Sequence, residues 1–129
     1  MTQSRILLVD DHREFLDSLA GSLEGLGVEI DCAQSARAAL QLIDENEYAV
    51  VVTDLCMPGM GGIELLRAIK ERTPETEVII LTGYPDVESA MQAVRLGAHD
   101  YLVKGAAAPE EVASSIAGAL DKQRVRRRA

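Results

Sequence analysis

The chain has 129 residues, 47% of them hydrophobic and 26% charged, which suits one domain with one ordinary core. No apolar run approaches the roughly 18 residues a membrane span needs. A net charge of −8 argues against direct binding of nucleic acid.

The charge is unevenly placed. Residues 121–129 carry five basic residues against one acid, so the body of the chain is more acidic than the total implies. Met1-Thr2-Gln3-Ser4 leads straight into an apolar run, with no signal peptide, and the expected location is the cytoplasm. The domain is expected over residues 1–122. Residues 123–129 form a basic tail, read either as the end of the last helix or as the start of a linker.

Arg5-Ile6-Leu7-Leu8-Val9 reads as a first strand that stops on Asp10 and Asp11. A helix follows. Asp11 and Glu14 have capping-box spacing, Phe15, Leu16, Leu19, Leu23 and Leu26 recur on one face, and Gly25 and Gly27 end it. Val28–Cys32 alternates apolar with acidic residues, as a strand with one wet face at a sheet edge does. Ser35 caps a second helix with Ala36, Ala39, Leu40 and Ile43 inward. Val50–Thr53 is a short β-branched run for a buried central strand, and Asp54 falls just beyond its end.

The turn-rich stretch Pro58–Gly62 then leads into a third helix through Ile63, Leu66 and Ile69, closed by Pro74. Val78–Leu81 is a buried strand ending on Thr82. Asp86 caps a fourth helix with Ala90, Met91 and Val94 on its apolar face. Tyr101–Val103 is a short last strand ending on Lys104. Pro109, Glu110 and Glu111 open the final helix, with Val112, Ile116, Ala119 and Leu120 inward. Met57, Met60 and Met91 read as packing residues.

Strand and helix alternate five times, which predicts an α/β fold: a doubly wound, five-stranded parallel sheet with five helices on its two faces. Right-handed crossovers limit the topology. The half-wet second strand belongs at one edge and the short fifth strand at the other. The order 2-1-3-4-5, the flavodoxin-like arrangement, satisfies both and sets strands 1 and 3 side by side. In that order Cys32 and Cys56 lie two strands apart, beyond the roughly 7 Å reach of a disulfide.

The same order brings the chemistry together. Asp10 and Asp11 adjoin Asp54 across one strand spacing of about 4.8 Å, with Thr82 and Lys104 on the next two strands at the same end of the sheet. Carboxylates this close oppose one another's ionisation. A divalent cation relieves that repulsion, and Mg²⁺ is the hard ion commonly held by a few carboxylates and a phosphate. Lys104 and Thr82 supply a cation and a hydroxyl for a phosphoryl group, and a carboxylate is a recognised covalent phosphoryl acceptor.

Plainer readings exist for each residue. Asp11 serves equally as a helix cap, Thr82 as an ordinary strand-end threonine and Tyr101 as half-buried packing. His12 reads as an exposed first-turn residue rather than a metal ligand, because oxygen donors suit Mg²⁺ better.

Taken jointly, Leu8-Val9-Asp10-Asp11, Thr53-Asp54-Leu55-Cys56-Met57-Pro58-Gly59-Met60, Leu81-Thr82-Gly83-Tyr84, Leu96-Gly97-Ala98 and Asp100-Tyr101-Leu102-Val103-Lys104 resemble the receiver domain of two-component response regulators. The resemblance covers about residues 4–122. It implies that Asp54 accepts a phosphoryl group from the phosphohistidine of a sensor histidine kinase or phosphotransfer protein. It implies that Asp10, Asp11, Asp54 and the Cys56 backbone carbonyl hold Mg²⁺, and that Thr82 and Lys104 contact the phosphoryl group. It further implies that Thr82 and Tyr101 switch between states, and that Cys56 and Tyr84 tune dephosphorylation. Such a domain is a signalling switch rather than an enzyme. It controls a downstream effector and can form a homodimer through its fourth helix, fifth strand and fifth helix.

Two positions depart from that family: Gly105 stands where Pro usually follows the lysine, and Gly61 where an Asp often precedes the glycine of the third helix. Without Pro the cheap cis geometry is lost, so the Lys104–Gly105 bond is expected to be trans. The competing function is a pseudo-receiver, an interaction module that is never phosphorylated. A phosphatase with an aspartyl intermediate would need a second acid at position 56, and Cys56 stands there. A nucleotide-binding loop of the Gly-x-x-x-x-Gly-Lys kind is missing from the sequence.

Overall fold

The computed structural model describes residues 4–128, with side chains through residue 125. The strands are β1 (Arg5–Val9), β2 (Glu29–Ala33), β3 (Val50–Thr53), β4 (Glu77–Thr82) and β5 (Asp100–Val103). They alternate with helices α1 (Arg13–Ser22), α2 (Ala36–Glu45), α3 (Gly62–Arg72), α4 (Val87–Arg95) and α5 (Pro109–Arg128). The strands form one parallel sheet in the order β2-β1-β3-β4-β5, as expected from sequence.

Alternation along each strand divides the interior into two cores. Leu7, Val9, Val51, Val78 and Ile80 point to one face and pack against α2, α3 and Ala93 of α4. Ile6, Leu8, Val50, Val52, Ile79 and Leu81 point to the other and pack against α1 and α5. The central strands β3 and β4 are buried along their full length, as continuous apolar runs in a covered parallel sheet require. The β2 edge keeps its wet side, with Glu29 exposed.

Several boundaries differ from the sequence expectation, each for a local reason. Asp11 does not cap α1: the N-cap is His12, which makes no side-chain cap hydrogen bond, and Asp11 is left for another use. The apolar stripe of the first helix is interrupted, because α1 ends at Ser22 and a 3₁₀ turn over Glu24–Leu26 leads to Gly27, whose φ of 67° ends it. The β2 strand sits one residue later than its alternation indicated. The β4 strand begins at Glu77, a fully buried carboxylate, since Lys122 of α5 reaches within 3.3 Å of its Oε1. The sequence reading began this strand one residue later, at Val78; the added charge is matched by a partner 45 residues away.

The α4 assignment fails more substantially. Ser89 and Ala93 face the core, while Val87, Met91 and Val94 are exposed, as is Met60 in the loop before α3. The expected caps did form on α2 and α4: Ser35 Oγ accepts from the Ala38 N–H at 3.1 Å, and Asp86 accepts from the Ser89 N–H at 2.8 Å.

The corrected α4 face makes a contrast. Val94→Ala is expected to change unfolding free energy by less than about 0.5 kcal/mol, and Ala93→Leu to cost about 1–3 kcal/mol by overpacking, both read from urea denaturation. The reverse order would return Val94 to the core.

Candidate functional site

Register places the acids. Val9 pairs with Thr53 across the β1–β3 ladder, so the next residues, Asp10 and Asp54, leave adjoining strands together. Each backbone is anchored: the Asp54 N–H donates to the Val9 carbonyl at 2.9 Å and the Asp10 N–H to the Ala33 carbonyl at 3.1 Å. Asp10 is only 2% exposed and Asp54 6%, and Asp11 is half-buried. One oxygen from each of Asp10, Asp11 and Asp54, together with a ring nitrogen of His12, lie within 4.8 Å of one another.

Lys104 completes the group from the far side of the sheet. Its N–H donates to the Thr82 carbonyl at 2.8 Å, continuing the β4–β5 ladder past the strand end. Its Nζ donates to Asp10 Oδ2 at 2.5 Å and lies 3.6 Å from Asp54 Oδ2. The ammonium also lies 4.1 Å from the ring centroid of Phe15 on α1, a cation–π contact that helps hold it. The Lys104–Gly105 bond is trans, as expected, and Gly105 takes φ 82°, a conformation open to glycine. The chain thus delivers the amine without the cis geometry.

The electrostatics are unbalanced. Burial pushes the Asp54 carboxyl above its ordinary 3.8, and the neighbouring Asp10 adds to the rise; Lys104 and the N–H groups of Leu55 and Cys56 oppose it. Asp11 Oδ1 is buried and accepts no hydrogen bond. One ammonium therefore faces three carboxylates, one of which carries an orphaned buried oxygen. These donors fit a hard divalent cation, which would satisfy the orphaned atom and offset the excess charge.

Thr82 is fully buried at the end of β4, and its Oγ1 accepts from the Tyr84 N–H at 3.1 Å. Tyr84 is itself exposed, and so is Cys56. Tyr101 lies away from the acids: its hydroxyl shares a 2.7 Å hydrogen bond with Ser89 Oγ and accepts from the Asp86 N–H at 3.4 Å. The structure therefore gathers Asp10, Asp11, Asp54 and Lys104 directly, with Thr82 at the adjoining strand end and Tyr101 one step removed on β5.

Sequence reasoning missed Gly62, Glu64 and Phe15. Gly62 is the first residue of α3, and a Cβ there would lie 2.3 Å from the Asp54 carbonyl oxygen and 2.9 Å from Leu55 Cα. Its N–H donates to the Leu55 carbonyl at 2.9 Å. Only glycine lets α3 start this close beneath the loop that carries Asp54. Glu64 reaches back to the Gly61 N–H at 3.3 Å, half of a capping box, since Gly61 has no side chain to return the bond. Phe15 was read only as core; His12 is exposed as expected, although its Nδ1 lies 3.1 Å from Asp10 Oδ1. The pair Gly61-Gly62, with Glu64 three residues after Gly61, was the available signal for the first two; Phe15 needed a tertiary distance.

A cavity of about 230 Å³ lies at the opposite, amino-terminal end of the strands, among Ile43, Tyr48, Thr73, Thr76 and Gln123. It shares no residue with the acidic group.

Comparison with known proteins follows the same lines. A match to the family described as the response regulator receiver domain spans residues 6–117. The photosynthetic apparatus regulatory protein RegA of Rhodobacter capsulatus is 38% identical over 101 residues, 78% of this chain and 55% of that protein. The crystal structure of a CheY-like response regulator receiver domain protein from Methanospirillum hungatei superposes with a TM-score of 0.91 at 31% identity, covering 97% of this chain and 99% of that one. The solution structure of the beryllofluoride-activated NtrC4 receiver domain dimer gives 0.86 at 34% identity, covering 92% and 98%. The chain spans 55% or less of the length of the first curated relatives it matches.

Two outcomes test the site. Gly62→Ala is expected to lower stability by about 1–3 kcal/mol, because the new Cβ meets backbone and not a yielding side chain, and to weaken divalent-cation binding as the Asp54 loop shifts; calorimetry reads both. Asp54→Asn is expected to raise the melting temperature at neutral pH without metal. The folded-state carboxyl is raised, so its contribution is fully present below about the ordinary 3.8 and is lost as pH rises through the elevated value. The variant's advantage should therefore shrink on acidification toward pH 3.8.

Proposed function

This chain belongs to the response regulator receiver domain family, and from that membership we propose that it is a phosphoacceptor switch with Asp54 as the acceptor. The observation that carries the proposal is the buried Asp10–Asp54 pair at adjoining strand ends with the Lys104 ammonium set against both. The donor is the phosphohistidine of a sensor histidine kinase or a phosphotransfer protein. An Asp54 carboxylate oxygen attacks phosphorus; the donor's N–P bond breaks as the new O–P bond forms, and the imidazole departs.

Asp10, Asp11, Asp54 and the Cys56 carbonyl are the groups that would hold Mg²⁺. When bound, the ion supplies positive charge that screens the carboxylates and the incoming phosphoryl oxygens. Lys104 is already placed to shift from Asp54 Oδ2 to a phosphoryl oxygen, holding charge that develops in transfer. Thr82 donates its hydroxyl hydrogen to the same group, while its Oγ1 accepts from the Tyr84 N–H. Cys56 and Tyr84 stand exposed beside the site, where side-chain bulk governs access of the water that hydrolyses the aspartyl phosphate.

Switching is a population shift driven by this local charge change. Tyr101 is its reporter: its hydroxyl ties β5 to Ser89 and Asp86 at the start of α4, so movement of Thr82 on β4 is felt at that helix. The exposed Val87, Met91 and Val94 on α4 supply apolar surface for a homodimer through α4, β5 and α5, or for a downstream effector. The acidic body makes nucleic acid an unsuitable direct partner. No described helix is long and apolar enough to cross a membrane. The proposed setting is the cytoplasm.

Incubation with an acyl phosphate and Mg²⁺ is expected to add one phosphoryl group by intact mass, lost in Asp54→Asn and slowed about tenfold or more in Lys104→Ala. No mass gain in the wild type would turn the reading to a pseudo-receiver interaction module. Saturation with a beryllofluoride mimic and Mg²⁺ is expected to shift the NMR signals of Ser89, Tyr101 and the α4 amides; unmoved signals there would remove the switch from this face.

A further inference from the structure

His12 is the chemistry-bearing residue that the switch reading leaves without a task. Its N–H donates to Asp10 Oδ1 at 2.9 Å, which turns the chain so that the imidazole doubles back on the acids. Nδ1 lies 3.1 Å from Asp10 Oδ1 and 3.2 Å from Asp11 Oδ1. Asp10 Oδ2 is occupied by Lys104, so Oδ1 is the oxygen left facing His12. Asp11 Oδ1 is the buried atom that accepts no hydrogen bond.

The spacing carries the argument. Neighbouring donors about 2.1 Å from an octahedral ion stand about 3.0 Å apart, close to the 3.1 and 3.2 Å sides found here. With Asp54 included, the four donor atoms fall within 4.8 Å, a little wider than the about 4.2 Å that opposite donors span at about 2.1 Å each, so the group closes slightly on an ion. An all-oxygen set favours Mg²⁺, whereas an imidazole nitrogen favours borderline divalent ions. The ring makes no capping hydrogen bond; Nδ1 instead shares a hydrogen bond with Asp10 Oδ1, and an ion would take the place of the proton in that bond.

We propose that His12 is a metal ligand through Nδ1, so that the acidic site is an oxygen–nitrogen site that favours borderline divalent ions such as Mn²⁺ or Co²⁺ over Mg²⁺ more than carboxylates alone would. The proposal rests on the acids binding a divalent ion at all, and the test separates the two. Mg²⁺ and Co²⁺ affinities are measured by calorimetry on the full chain, wild type and His12→Ala. The substitution removes an exposed side chain with no capping bond, so the fold is retained.

The Co²⁺-to-Mg²⁺ affinity ratio is expected to fall about tenfold or more in the variant, with Mg²⁺ affinity changed far less. Pulsed electron paramagnetic resonance of the Mn²⁺ complex is expected to show a directly bound imidazole nitrogen in the wild type and none in His12→Ala. An unchanged ratio with no imidazole coupling, while Mg²⁺ still binds, would overturn the His12 assignment alone. Failure of every ion to bind the wild type would overturn the acidic metal site and His12 with it.

Discussion

Two carboxylates buried at the ends of adjacent strands repel each other, and Lys104 is the charge the fold sets against them. Its 2.5 Å bond to Asp10 is the shortest polar contact in the site, and it leaves Asp54 at 3.6 Å with a weaker hold. That asymmetry matters. Asp10 is charge-paired while Asp54 is held more loosely, and an excess of negative charge remains that a cation would offset. Removing a buried charge's partner is more costly than never having built the pair, so the amine and the acids stand or fall together.

The rest of the structure serves that arrangement. A sheet covered on both faces needs continuous apolar strands, and such strands can accept charge only where they end. The parallel direction sends all five carboxyl ends to one edge, which is why residues 10, 54, 82 and 104 meet although the sequence spreads them over most of its length. Gly62 then brings the α3 terminus against the Asp54–Leu55 backbone, and Phe15 gives the Lys104 ammonium a face to rest on. At the other end of β4 the same rule recurs: the buried Glu77 is tolerated because Lys122 reaches it.

The strand order also defines how the site communicates. Thr82 on β4 adjoins Lys104 through the ladder, and Tyr101 on β5 bonds to Ser89 of α4 and to the N-cap residue Asp86. The Tyr101 hydroxyl thus ties β5 to the start of a helix whose outer face is apolar and exposed. His12 belongs to the opposite side of the site, where the chain leaving β1 folds its ring back on Asp10 and Asp11.

The sequence by itself determined the sheet and the acids. Short β-branched runs between amphipathic segments dictate buried parallel strands, and the position of each polar residue relative to its run places it at a strand end. Asp10, Asp54, Thr82 and Lys104 were legible for that reason, and Gly105 without its proline correctly indicated a trans bond. What only the tertiary structure decided were matters of approach between elements far apart in the chain. Glu77 fell outside the strand read from sequence, and only the approach of Lys122 accounts for its burial; Met91 and Val94 were read as the inner face of α4, which Ser89 and Ala93 take instead. Asp11 looked like a cap until His12 took that position. Periodicity fixes which residues share a face, but which face is buried depends on the neighbour that covers it, and a close approach such as that of Gly62 to Asp54 exists only once both segments are in place.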